Sequence, residues 1–235
     1  MEYESLTTPR RGFFARLAAA GAAFVATGAP PASLSAEGKR SAHPDPSDKW
    51  LEKMNAKHRQ IFDMPQPSGG LPLIHVRNYL NTYRDAYKLK PGDDVKAAAS
   101  LYFMTVPLAF TDAMWEKYKF GEATKVNDTS TKAPAVVNVF AKAPAGSDVL
   151  HVEGLVPVPA DASITALQSR GTTFLLCNNA LNFWARNLAK ATNGNADKIR
   201  NELLDNMLPN IELVPAMVVA FNLAQEHGIT YMYLA

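Results

Sequence analysis

The residues of this chain best suited to chemistry meet at Cys177-Asn178-Asn179. Cys177 is the single cysteine. It ends the apolar run Phe174-Leu175-Leu176, and a helical pattern starts directly after it. A thiol at such a strand-to-helix turn sits where open parallel sheets place their sites, and a helix N-terminus there favours negative charge on sulfur. The chemistry would be nucleophilic: a thiolate could accept or hand on a sulfane sulfur. A free cysteine also packs well as a small hydrophobe, so a structural Cys177 stays open as the alternative. Asn178 and Asn179 either orient the sulfur or cap the helix. His75 follows the Gly69-Gly70 loop in the first turns of a helix, as an acid, base or ligand candidate or as a solvated side chain. Thr105 is expected to end the second strand on the same sheet edge and is a further binding candidate.

Composition removes several classes of function. The 24 basic and 22 acidic residues, a formal charge of +2, are mixed along the chain and form no basic stripe, so no nucleic-acid partner is expected. One cysteine makes no internal disulfide, and no cysteine-histidine pair has zinc-finger spacing. The five histidines are scattered, so no metal site is expected. Gly69-Gly70 lacks the spacing of a nucleotide fingerprint, and neither a CxxC pair nor a Ser/His/Asp order is present, so no cofactor is expected.

The elements that must position Cys177 follow a leader of different character. Residues 1–36 carry Arg10-Arg11-Gly12-Phe13-Phe14 and then the uncharged, alanine-rich run from Leu17 to Pro31. This pattern resembles a twin-arginine export signal and implies a periplasmic or secreted protein. The run is too short and too rich in Ala and Gly for a stable membrane span. An amphipathic anchor or an unstructured N-terminus is the alternative. Residues 37–57, with Pro44 and Pro46, read as a linker that closes on a short helix, and folded structure is expected from His58.

From there strands and helices alternate. Strands are expected at 58–64, 95–104, 172–177, 211–214 and 229–234, with amphipathic helices between them. Residues 119–160 interrupt the rhythm and read as an insertion, strand-like only at 135–141 and 149–152, that serves as a lid, a binding loop or an oligomer contact. The alternation predicts an α/β fold with a parallel sheet and crossover helices.

In this order the chain from His58 to Leu234 resembles the DsrE/DsrF-like family, which has the YchN fold and is associated with sulfur relay. The resemblance is carried by Phe174-Leu175-Leu176-Cys177 with Asn179 in a Cys-x-Asn turn. It is carried also by the tail Ile211-Glu212-Leu213-Val214-Pro215 through Gly228-Ile229-Thr230-Tyr231-Met232-Tyr233. More loosely, His58-Arg59-Gln60-Ile61-Phe62 and Val76-Arg77-Asn78-Tyr79-Leu80 fit the first strand and helix. It implies a doubly wound, flavodoxin-like three-layer sandwich with a mostly parallel sheet of about five strands and helices on both faces. It also implies a homo-oligomer, trimer or hexamer, and, as in some members, a cysteine that carries a persulfide received from or passed to a sulfur-donor or acceptor protein. The long insertion and the export signal depart from the small cytoplasmic members. The rival expectation is a non-catalytic oligomeric or small-ligand-binding protein with a structural cysteine.

Overall fold

The computed structural model describes residues 48–234. Residues 1–36, where an export signal is expected, and residues 37–47 of the expected linker lie outside the described residues. Five strands form one sheet: β1 (His58–Asp63), β2 (Val95–Leu101), β3 (Thr172–Cys177), β4 (Ile211–Val214) and β5 (Thr230–Tyr233). Their order across the sheet is β4-β3-β2-β1-β5, and every neighbouring pair is parallel. The fold is α/β, a three-layer sandwich of the flavodoxin-like kind.

The strand order fixes which face each connection covers. From β1 through β2 and β3 to β4 the chain steps one way, and right-handed crossovers place those connections on one face. They comprise α2 (Leu71–Asp85), α3 (Asp112–Tyr118), α4 (Phe120–Thr124), α5 (Ile164–Gln168), α6 (Asn178–Thr192) and α7 (Ala196–Asp205). Leu73, Val76 and Leu80 of α2 and Leu181, Ala185 and Leu188 of α6 accordingly share a core with Phe62, Ala97, Ala99, Phe174 and Leu176. From β4 the chain reverses and crosses the whole sheet to β5, so α8 (Met217–Glu226) lies on the other face. There Met217, Ala220 and Ala224 pack with Ile61, Ala98, Leu175 and Cys177.

Several expectations are corrected. The short helix α1 (Trp50–Lys53) lies in the stretch read as linker, yet Trp50 and Met54 are fully buried in the α8-side core, so residues 50–54 are part of the fold. β2 stops at Leu101 rather than running on to Met104. The Thr105 hydroxyl takes the Tyr102 N–H at 3.0 Å, and the chain turns into a 3-10 stretch, Phe103–Ala109, with Pro107 inside it. Thr105 therefore does not end the second strand. Segments 135–141 and 149–152 are not strands; the insertion holds a two-residue ladder between Asn127–Asp128 and Ala133–Pro134 and isolated bridges at Val149 and Val152. Buried Asn138 organises it, donating through Nδ2 to the carbonyls of Leu108 and Phe110 at 3.0 and 2.8 Å. Phe120, Val126, Phe140 and Leu150 of the insertion complete the core on the α2 and α6 face, away from the face that holds Cys177.

At the amino edge of the sheet the turn into β3 is set by Gly171, whose φ is +90°. A Cβ there would lie 2.5 Å from Gly92 Cα, so two turns pack backbone against backbone at the start of the cysteine strand. At the opposite end of the sheet order β5 is an edge strand with all four residues exposed. Among the described residues no helix is long and apolar enough to cross a membrane.

Candidate functional site

The connections that leave β3 and β4 go to opposite faces of the sheet, α6 to one and α8 to the other. Adjacent parallel strands with diverging connections leave a crevice at their carboxyl ends, where ligand sites of open α/β sheets lie. Cys177 is the last residue of β3 and pairs in register with Val214, the last residue of β4. The cysteine therefore occupies that crevice.

Its sulfur is held by both diverging helices. Cys177 has extended backbone angles, φ −76° and ψ 116°, and serves as the N-cap of α6, its Sγ accepting the Ala180 N–H at 3.5 Å. From the other side Met217, the first residue of α8, donates its N–H to the same Sγ at 3.3 Å. Neither helix carries an acidic residue in its first turn, so the partial positive charge of each N-terminus is not cancelled locally. These two N–H groups are placed to stabilise charge on the sulfur or on a sulfur added to it. The thiol is 5% exposed and belongs to an apolar cluster, with Tyr102, Ala180 and Phe221 as its partly buried neighbours.

The sequence-derived candidates separate. Asn178 and Asn179 are the first two residues of α6 and not its cap, which the sulfur supplies. The Asn178 side chain accepts from Arg200 Nη2 at 2.7 Å, while Arg200 Nε donates to Asn182 at 2.8 Å, so Asn178 ties α6 to α7. Asn179 is exposed. Thr105 is 1% exposed and its hydroxyl is spent on the backbone: it accepts from Tyr102 N–H and lies 2.7 Å from the Met64 carbonyl. Its role is to lock the turn after β2 to the end of β1. His75 is exposed on α2 and lines a groove of about 390 Å³ with Phe62, Tyr79, Tyr83 and Met232. Phe62 belongs to the core on the α2 face, so the sheet lies between that groove and the cysteine cluster.

Residues the sequence did not single out stand on the cysteine's own face. Asp63 ends β1, is 4% exposed, and accepts the Tyr231 hydroxyl at 2.5 Å. Burial, and then the Asp63 carboxylate, push the Tyr231 phenol up to about 12. The Tyr102 phenol lies against the same carboxylate and is raised further, by burial first and Asp63 second. Asp63 Oδ1 itself has no partner in hydrogen-bonding geometry. A carboxylate closing an apolar strand end, in Ile61-Phe62-Asp63, was the available signal.

A hollow of about 220 Å³ lies beside the start of α8, walled by Trp50, Val214, Pro215, Ala216 and Val219. A wider one, about 450 Å³, sits at the amino edge of the sheet by Lys53, Lys96 and Thr172, far along β3 from Cys177. Among the described residues no group of His, Cys, Asp and Glu is arranged to hold a metal ion.

No protein-family model matches the chain, and no curated protein matches it. A solved structure, the protein of unknown function MTH1491 from Methanobacterium thermoautotrophicum, is similar at 14% identity and a TM-score of 0.37. The match covers 75% of this chain and 99% of that one.

Because Sγ serves two helix starts at once, Cys177→Ala should cost about 1–2 kcal/mol, in the range of a lost N-cap with a second unmet donor. Cys177→Ser, which keeps an acceptor, should recover part of that loss. Denaturant midpoints of the three proteins check this; equal midpoints for wild type and Cys177→Ala would show that the sulfur holds neither helix.

Proposed function

We propose that this chain is an exported, DsrE-like sulfur carrier that holds a persulfide on Cys177. The observation that carries the reading is the placement of one sulfur in the crevice at the switch point, under N–H donors from two helix starts. In the loading step the Cys177 thiolate attacks the outer sulfur of a persulfide donor R–S–SH. A Cys177–S bond to that sulfur forms, the R–S–S bond breaks, and the thiolate R–S⁻ leaves. The product on the protein is Cys177–S–SH, and no external oxidant or reductant is consumed. Sulfurtransferase-like exchange with a donor or acceptor protein is the activity this chemistry supports.

Export rests on Arg10-Arg11 and the apolar run behind them. Assembly into a homo-oligomer is supported by the edge strand β5, where Tyr231, Met232 and Tyr233 are exposed. One observation favours the rival reading, a binding or scaffold protein with a structural cysteine: the sulfur is nearly buried in an apolar cluster.

The two readings part on mass. Folded protein incubated with a sulfane-sulfur donor should gain the mass of one sulfur atom on Cys177, with no gain in Cys177→Ser. A wild-type protein that gains nothing while a control persulfidates would leave the structural reading standing. For export, a reporter fused behind residues 1–36 should reach the periplasm of a bacterium with a twin-arginine translocase and stay inside once Arg10 and Arg11 are both Lys. Equal export of both fusions would remove the twin-arginine route.

A further inference from the structure

The walls around Cys177 differ in how they are held. The register Leu101↔Leu176 places the following residue, Tyr102, beside Cys177 across the β2–β3 pair and on the same face. Tyr102 keeps extended angles, φ −151° and ψ 174°, so its side chain follows the strand alternation. Val214 flanks the cysteine on the other strand, and Val214 and Met217 are each only 1% exposed. Tyr102 and Phe221 are the half-buried aromatic residues packed against the cluster that holds Cys177.

Both rings belong to one bonded unit. Tyr102 meets Phe221 edge to face, centroids 6.0 Å apart at 79°, and Phe221 meets Tyr231 likewise at 5.3 Å and 79°. The Asp63 carboxylate takes the Tyr231 hydroxyl at 2.5 Å, and Tyr231 reaches Tyr102 through Phe221. Asp63 is itself fixed, since its carbonyl accepts the Leu234 N–H at 2.8 Å. A buried carboxylate is an expensive group to place in an apolar cluster merely to fill space. Here it links strands β1 and β5 to the ring that stands next to the thiol.

We infer that Asp63, through Tyr102 and Tyr231, latches the aromatic wall over Cys177 and restricts the sulfur to small, low-molecular-weight donors and acceptors. Asp63 is a positioning residue: it acts through the tyrosines and does not touch the reacting sulfur. The donor class rests on the proposed carrier function, whereas screening of the thiol does not. A low-molecular-weight persulfide donor or thiol acceptor passes between Tyr102 and Phe221. A persulfide carried on a folded protein reaches Cys177 only when the latch opens.

The test measures labelling rates of Cys177 in the folded full chain with two thiol reagents of different size: a methyl thiosulfonate, which leaves S–CH₃, and dithiobis(nitrobenzoate). The wild type should favour the small reagent by about tenfold or more after correction for their rates with a free thiol. Tyr231→Phe and Asp63→Asn should each raise the bulky rate by about tenfold, the population change that loss of one ordinary hydrogen bond allows. The small-reagent rate should shift by less than about twofold, because the local opening changes and the thiol's own surroundings do not. Tyr231→Phe removes a single hydroxyl from a partly exposed side chain, so it decides the matter if Asp63→Asn fails to fold. The inference is overturned if wild type shows no size preference, if neither reagent reacts before unfolding, or if Tyr231→Phe leaves the rate ratio unchanged. If screening is found but no sulfur is gained from a persulfide donor, the latch stands and the carrier function falls.

Discussion

Two backbone N–H groups from two different helices converge on one sulfur, and the rest of the site depends on that convergence. Each belongs to a helix whose first turn leaves N–H groups without internal partners. The Cys177 side chain satisfies one at α6 and one at α8. Such a contact is possible only where connections diverge from neighbouring strands. The reversal from β4 back across the sheet to β5 is therefore what brings α8 to the cysteine at all.

The same reversal makes the two faces unequal. The face under α2 and α6 carries the larger core and takes in the insertion, including Phe140 and Leu150. The other face is roofed among the described residues chiefly by α1 and α8, through Trp50, Met54, Met217 and Ala220. Toward β5 its rings Tyr102 and Tyr231 meet Phe221 of α8, with Asp63 bound to the Tyr231 hydroxyl. Polar anchoring under Tyr102 and Tyr231 gives that wall a defined position while leaving it less deeply packed than the helices.

Much of this was legible in the sequence, and the reasons differ residue by residue. The strand Phe174-Leu175-Leu176-Cys177 and the helix behind it stood out because an apolar run gives way to helical spacing at a lone thiol. Five parallel strands followed from the alternation of elements. Asparagine is a preferred cap and cysteine is not, so local propensity pointed to Asn178 or Asn179, while the tertiary contact with Met217 fixed the sulfur as the acceptor. Thr105 was placed at a strand end because nothing local marks the hydrogen bond from Tyr102 N–H that turns the chain early. His75 shares the carboxyl edge but the opposite face, a distinction that depends on strand order, which no single segment encodes. Asp63 and Tyr231 are 168 residues apart in sequence and meet only through the pairing of β1 with β5.

The proposed carrier function requires that Cys177 hold sulfur that the folded protein can give up. Cyanide cleaves a persulfide to a thiol and thiocyanate, so the direct measurement is thiocyanate released from donor-treated protein while its fold is verified by circular dichroism. The expected result is one thiocyanate per loaded chain from native protein and none from Cys177→Ser. Release that begins only once the chain unfolds would contradict it and make Cys177 a packed structural residue.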